Sequence, residues 1–495
     1  MVDDIKKQAY QHWLDKERKP VMCLGQGYHK NQLYYGSTIE NPNREVLDCV
    51  VTSNRDIYVD ETKFGKSDNK TSINHIREDF GLNYRFRFFE EVLDFTWSRA
   101  SIKKYLMKNY EVDIKQIFEK LVDINSKFMV YENPTTHKFI ALDIMKTFWY
   151  QLFPANGRTF FNADKDSGKT NQLMIYKAFS FNPTASPDFS GASIYRIIES
   201  TCATILFDDF DELPDKQKSA VIRHIRVNYK KFKTLRADGG RSFKPQAYNS
   251  FSHLIFNNVL GLGNDFITLS RVITIKLLQS PDARELQFNA DSKEWQPLRD
   301  DLYCMGLQYF KEVMDNYHKI KVPELKTRNL EIFKPILAIA KIISDDLYDE
   351  VLQWYIQLKK DESIRDVSED WEYLMLKQLW ELFKDDDKTR KITSSQITKL
   401  VSDVLNYDDL SGKEKNRKIR NLGINLGKKL SGYVIFKKTR IDGYPNYEIN
   451  RDGLKRIIKK QGFEDDIIKE QNNKKVPKKV FEENYEQDVD WDGLQ

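Results

Sequence analysis

The stretch FFNADKDSGKTNQLMIYKAF, residues 160–179, sets a glycine, a lysine and a threonine in a row at Gly168, Lys169 and Thr170. This run ends the pattern GxxxxGK[ST], whose chemistry is phosphate binding. Backbone N–H groups of such a turn, and the positive end of the helix after it, hold phosphate oxygens. The lysine reaches the β- and γ-phosphates and the neighbouring hydroxyl ligates Mg2+. The loop would comprise Ala163, Asp164, Lys165, Asp166, Ser167, Gly168, Lys169, Thr170 and Asn171. The pattern asks for glycine at 163; alanine, the smallest replacement, fits if φ there is negative. Taken alone, the string suits a polar surface turn as well as a nucleotide site.

A second signal changes the balance. ATILFDD carries an apolar run into Asp208, 38 residues after Thr170. A carboxylate there holds the magnesium, usually through water, and the next acid, Asp209, polarises the attacking water. The same string also suits a core strand entering a solvated acidic loop. HLIFNN then ends in Asn257 and Asn258, where a side-chain amide can sense the γ-phosphate or orient the water. In LSRVITIKL, Arg271 starts a further strand. It either pairs with an acid inside the fold or reaches the nucleotide of a neighbouring subunit, which requires a ring. Both leading motifs in this order predict a site for ATP and Mg2+.

The elements that must position these residues are legible as hydrophobic periodicity. KFIALDIMKTFWYQLF is helical, RTFFNA is a short strand entering the glycine-lysine turn, and TNQLMIYKAF and GASIYRIIES are helices. CATILFDDFDEL is a buried strand ending in carboxylates, DKQKSAVIRHIRVNYKK a basic amphipathic helix, and FSHLIFNN and RVITIKLL two more buried strands. Strands alternating with helices predict a parallel sheet layered by helices, here an α/β P-loop NTPase core over residues 131–280. Before it, QLYYGS, EVLDCVV and DIYVD read as strands, and SRASIKKYLMKNY and DIKQIFEKLVDI as helices. They make a small α+β domain, residues 1–130, with no recognisable chemistry. Residues 281–385 read as a helical lid or linker, 386–463 as a separate small domain, and 464–495 as a charged flexible tail.

Composition narrows the class. The chain has 495 residues, room for about three domains, and 40% of them are hydrophobic and 13% aromatic, so a sizeable core can be buried. The four cysteines are scattered without a CxxC pair, which suits neither a disulfide framework nor a zinc site and fits a reducing cytosol. The seven histidines form no HExxH or HxH pattern. MVDDIKKQAY lacks the apolar core of a signal peptide, and PILAIAKII is too short to span a bilayer. The expectation is a cytoplasmic protein with no membrane partner.

With these elements in order, the segment resembles the AAA+ ATPases, especially the superfamily-3-helicase-like ATPases of archaeal plasmids and viruses. SGASIYRIIESTCATILFDDFDEL looks like that family's short helix, Walker B strand and acidic run. FKTLRADGG, LRDDLY and EIFKPILAIAKII look like its later landmarks. The likeness covers residues 131–345 and continues faintly into the C-terminal domain. It implies that Lys169 and Thr170 are the Walker A pair and Asp208 the magnesium aspartate. It makes Asn257 sensor 1 and Arg271 the trans-acting arginine. With Asp209 as base, the implied catalytic set is Lys169, Asp209, Asn257 and Arg271. Ala163 departs from a family glycine and Asp209 from a family glutamate; the second bears on turnover more than on binding. The resemblance also implies a homo-oligomeric ring, with a hexamer as one candidate size. Within FKTLRADGGRSFKPQAYNS, DGG signals a hairpin turn. The family would make that hairpin a pore element touching single-stranded DNA through Arg236, Arg241 and Lys244. An ordinary solvated basic hairpin suits the residues equally.

Residues 388–463 carry 19 Lys/Arg against 7 Asp/Glu, a local net charge of +12 where the whole chain has +5. TSSQITKLVSDVL reads as a helix with polar N-cap candidates, KEKNRKIRNLGINLGKKL as a basic recognition helix, and VIFKKTRIDGYPNYEIN as two strands about a turn. GLKRIIKK closes with a helix. Together they predict a winged helix that binds duplex DNA through Lys415, Arg417, Lys418, Arg420, Lys428, Lys429, Lys437, Lys438 and Arg440. A winged helix used for protein contact is the alternative. The expected function is an ATP-hydrolysing nucleic-acid motor, a replicative helicase of a mobile genetic element. Alternatives are a non-unwinding loader or remodeller, and a DNA-binding regulator with a near-inactive ATP site.

Overall fold

The computed structural model describes residues 21–22, 25–40, 43–60, 83–84, 88–107, 110–163, 167–186, 189, 191–208, 215–237, 245–258, 266–277, 287–325, 327–369, 371–384, 389–404, nine positions between 412 and 430, 437–441 and 444–461. Two compact units divide the chain, residues 1–357 and 358–495.

The first unit begins with an antiparallel meander of β1 (Gln26–His29), β2 (Gln32–Glu40), β3 (Val46–Thr52) and β4 (Ile57–Val59), paired in that order. The middle of β2 is buried, and it packs into the unit that holds the main sheet. The Tyr35 hydroxyl donates to the Phe148 carbonyl at 2.6 Å, and its ring lies 4.9 Å from Phe181 and 6.0 Å from Tyr303. Gly306 leaves room for it: a Cβ there would stand 2.0 Å from the Tyr35 Oη.

Helices α1 (Arg99–Leu106) and α2 (Ile114–Phe128) follow; Asp113 caps α2 by accepting from the Lys115 N–H at 2.8 Å. Helix α3 (Thr135–Lys146) is buried on nearly every side, its polar Asp143 and Lys146 included. The main sheet comprises β5 (Arg158–Ala163), β6 (Pro183–Ala185), β7 (Thr204–Phe207), β10 (Leu254–Asn258) and β11 (Val272–Leu277). Between them lie α4 (Lys169–Phe179), α5 (Gly191–Thr201), α6 (Asp215–Val227) and α7 (Phe266–Leu269). A separate antiparallel hairpin of β8 (Lys233–Ala237) and β9 (Pro245–Asn249) follows α6.

All pairings in the main sheet are parallel, in the order β11-β5-β10-β7-β6. The chain steps from β5 out to the far edge at β6 and returns through β7 and β10. It then crosses to the other side of β5. The strand order therefore reverses beside β5, and in open parallel sheets the crevice for ligands lies outside the carboxyl ends at such a point. Strands β7 and β10 are buried throughout, which is why TILF and LIF read as unbroken apolar runs. Phe160 of β5 stacks on Phe256 of β10 at 4.8 Å, within a cluster shared with Ile194, Ile198, Val221 and Ile225 of the covering helices.

Helices α8 (Gln296–Lys319), α9 (Thr327–Ile343) and α10 (Asp345–Glu369) follow. The second unit holds α11 (Trp371–Phe383), β12 (Arg390–Thr393), α12 (Ser394–Val404), β13 (Lys437–Ile441), β14 (Tyr444–Ile449) and α13 (Arg451–Gln461). Its sheet is antiparallel with β14 in the centre. Thr393 and Gln396 form a reciprocal cap on α12: the Gln396 N–H donates to Thr393 Oγ1 at 3.1 Å and the Thr393 N–H to Gln396 Oε1 at 2.9 Å. The described positions between 412 and 430 are helical. Leu422, Leu426 and Leu430, four residues apart, are buried with Ile397, Val401, Tyr447, Leu454 and Ile458.

Candidate phosphate site at the carboxyl edge of the sheet

Gly168 precedes α4 with φ +84°, in the left-handed region where glycine carries no penalty. It makes no side-chain cap, so the first-turn N–H groups of α4 face the end of the loop as a helix N-terminus suited to anions. Lys169 is half-buried and Thr170 exposed. Asn171 is tied down, its Oδ1 accepting from the Phe288 N–H at 3.1 Å. Gln172, fully buried, accepts at Oε1 from Asn125 Nδ2 at 3.1 Å and from the Tyr131 hydroxyl. The first turn of α4 is thereby anchored to the segment that joins α2 to α3.

Parallel register brings the next residues to the same edge. Asn257 pairs with Phe161 and Asn258 with Asn162, near the end of β5, while Phe207 pairs with Phe256. Asp208 therefore emerges beside Asn257, and the buried Asn257 Nδ2 donates to Asp208 Oδ1 at 2.9 Å. The backbone of Ala163 ends β5 opposite Leu277. Asp164, Lys165, Asp166 and Asp209 lie outside the described residues, as does the side chain of Ala163.

Arg271 is not brought to this edge. Its carbonyl accepts from the Arg158 N–H at 3.4 Å, and Val272 pairs with Arg158, at the amino ends of β11 and β5. Six residues of strand separate the two edges, roughly 20 Å at ~3.3 Å per residue. The half-buried guanidinium of Arg271 lies 5.1 Å from the Tyr229 ring centre, and its Nη1 donates to Ser270 Oγ at 3.4 Å.

Sequence reasoning missed a buried polar cluster behind α4. Asp143 and Lys146 of α3 and His253, just before β10, are all fully buried. Lys146 Nζ stands 2.6 Å from Asp143 Oδ1 and donates to the Gly157 carbonyl at 2.9 Å. Asp143 Oδ2 accepts from the Thr159 hydroxyl at 2.6 Å, the Tyr176 hydroxyl at 2.8 Å and His253 Nε2 at 3.2 Å. Burial alone would raise the Asp143 carboxyl, but the Lys146 ammonium and His253 hold it well below the usual carboxylate range. Burial, then the Lys146 cation, pulls His253 down to about 4 against the pull of Asp143. His253 is therefore neutral, with Nε2–H donating to Asp143 and Nδ1 accepting from Asn156 Nδ2 at 3.2 Å. One signal was available: opposite charges three residues apart inside the apolar run FIALDIMK. Arg158, fully buried next to Arg271, gave none; burial and then the Arg271 cation push it down to about 9.

Of the residues expected to meet nucleic acid, Arg236 lies on β8 opposite Gln246, with its side chain undescribed. Arg241 and Lys244 lie outside the described residues, as do Arg417, Lys418, Lys428 and Lys429. Lys415 is half-buried and Arg420 exposed in the helical stretch. Lys437, Lys438 and Arg440 lie on β13, described by backbone alone. Among the described residues, no helix is long and apolar enough to cross a membrane, and no group of three or more His, Cys, Asp or Glu could hold a metal ion.

No family model and no curated protein matches the chain. Among solved structures, it is similar to a full-length MCM homolog from Methanopyrus kandleri at TM-score 0.33 and 8% identity, over 67% of this chain and 78% of that one. It is also similar to the apo C-terminal region (305–718) of NrS-1 at TM-score 0.33 and 10% identity, over 82% of this chain and 93% of that one. The A form of the same region gives TM-score 0.31 and 9% identity, over 84% and 96%. At these scores the likeness is loose, and the α/β fold stands on the strand order.

Proposed function

We propose that this chain is an ATP-hydrolysing nucleic-acid motor, a helicase that works as a ring on DNA in the replication of a mobile genetic element. The observation that carries this reading is the meeting, on one edge of a parallel sheet, of the left-handed glycine that opens α4 with the Asn257–Asp208 pair. The first-turn N–H groups hold the phosphates and Lys169 brings its cation to the β- and γ-phosphate oxygens. The donor set fits Mg2+: the exposed Thr170 hydroxyl and the Asp208 carboxylate are hard oxygen ligands, and this ion takes few protein ligands and keeps several waters. When bound it neutralises charge on the transferring phosphoryl group. Asn257 orients the Asp208 carboxylate through its amide. Asp209, next along the chain, accepts the proton of the attacking water. Its side chain is one methylene shorter than glutamate, and a misplacement of ~1 Å costs about 100-fold in rate, so turnover is slow.

Arg271, on the far edge from its own loop, suits the nucleotide of a neighbouring subunit, which is the reason for a ring. In the second unit, α12, the helical stretch to Leu430 and the β13–β14 hairpin make a winged helix whose cations bind duplex DNA. The test is steady-state ATP hydrolysis by the full chain with and without single-stranded DNA, beside Lys169→Ala. Strong stimulation by DNA, with Lys169→Ala inactive, supports the motor. Activity indifferent to DNA makes the chain a remodeller, and no activity makes it a DNA-binding regulator. Wild-type turnover in Lys169→Ala removes the nucleotide site altogether.

A further inference from the structure

At the base of the β8–β9 hairpin, between α5, α6 and β8, lies a cavity of about 270 Å3. Tyr195 of α5, Arg223 and Val227 of α6, and Lys233 and Leu235 of β8 line it. It is small beside the ~300–1,000 Å3 of ordinary small-molecule sites, which suits one flat ring better than a whole cofactor. Two of its lining side chains are apolar and in water, Val227 at 44% exposed and Leu235 at 69%, and Phe232, near them in sequence, is 55% exposed. Of the eight large hydrophobic side chains exposed among the described residues, these three fall within nine consecutive positions. Exposed apolar side chains grouped in this way are a candidate contact site.

Charge selects the occupant. From Lys216 to Arg236 the chain carries eight Lys/Arg and no Asp or Glu. Arg223 and Lys233 stand exposed at the cavity, and among the described residues no acidic side chain lines it. Tyr195, almost fully buried, lines the cavity, the exposed Val227 and Leu235 offer a base apolar surface, and the flanking cations can meet the phosphates of a single strand. We propose that this cavity receives one unstacked base of a single-stranded nucleic acid, whose phosphates lie along Arg223 and Lys233. The inference rests on the nucleic-acid reading above and gives that reading a residue-level site outside the hairpin tip.

The test measures binding of the full chain to a labelled thymidylate 20-mer and to an abasic strand of equal length, by fluorescence anisotropy across a salt series. The wild type should prefer the base-bearing strand by about tenfold. The double variant Val227→Gln, Leu235→Gln should bind both strands alike with the salt slope unchanged. Arg223→Gln with Lys233→Gln should weaken both strands equally and flatten the slope by ~1.4, at ~0.7 per single-strand phosphate contact. All four positions are exposed and lie outside the phosphate site, so ATP hydrolysis without DNA and the melting temperature serve as controls for folding. Equal binding of the two strands by the wild type overturns the base site and leaves the motor standing. Binding of neither strand overturns both. Loss of assembly in the apolar double variant, with strand preference intact, assigns the surface to contact between copies and overturns the proposal.

Discussion

Asp143, Lys146 and His253 share a space without exposure to water, so each charge there answers to the others. Breaking a buried pair by removing one partner leaves an uncompensated charge and typically costs ~3–5 kcal/mol. His253 adds a dependence on pH. Its folded pKa of about 4 lies below the unfolded 6.5, so between those values the unfolded chain binds the extra proton. The stability that neutral His253 contributes is fully present above pH ~6.5 and lost as pH falls toward 4. In urea unfolding, His253 alone should make the first unit about 2 kcal/mol less stable at pH 5 than at pH 7, and His224 adds to that loss. His253→Gln, which keeps an N–H for Asp143, should flatten that slope. It will not erase it, because burial also holds His224 well below its usual value. An identical slope in the variant would assign the acid sensitivity elsewhere.

At the scale of elements, the phosphate turn depends on one backbone conformation. Gly168→Ala forces a Cβ into the left-handed region at about 1–2 kcal/mol. The new atom would stand 3.3 Å from Met129 Cε, a flexible end that can give way, so the strain is in the backbone. The expected result is a lower melting temperature and at least tenfold weaker binding of a fluorescent ATP analogue. Gly168→Asn should recover part of the loss, since asparagine tolerates this φ, whereas adding Met129→Ala should not. Recovery by Met129→Ala would mean the clash, not φ, matters. The central strands and their order along the chain were legible because TILFD and LIFNN are long apolar runs closed by polar residues. The contact of Asp208 with Asn257 follows from parallel register once those strands are neighbours. Of the strands that escaped sequence reasoning, which include β1, β6 is three residues, PTA, at a sheet edge, and β12 is four mostly polar residues, RKIT. Neither is long enough to display a period of two. The buried cluster escaped because a lone acid and a lone lysine in a helix ordinarily read as solvated.

For the whole molecule, the placement of Arg271 and Lys169 on opposite sheet edges gives the proposed ring a direct test. Arg271→Ala and Lys169→Ala should each hydrolyse ATP poorly alone, and mixing them should restore activity. In a head-to-tail ring of randomly mixed subunits, roughly a quarter of interfaces pair an intact site with an intact arginine. No restoration across mixing ratios, with assembly verified by sedimentation, would return Arg271 to a purely structural role. The seating of Tyr35 against Tyr303 and Gly306 has a consequence for how the chain is made. The strand leaves the ribosome well before part of its enclosure, which is encoded 271 residues after Tyr35, at Gly306. At ~5–20 residues per second, the nascent meander waits roughly 15–50 s with Tyr35 at most partly covered. The β1–β4 meander is thus translated well before it is sealed, and synthesis halted short of Gly306 should leave it open to protease.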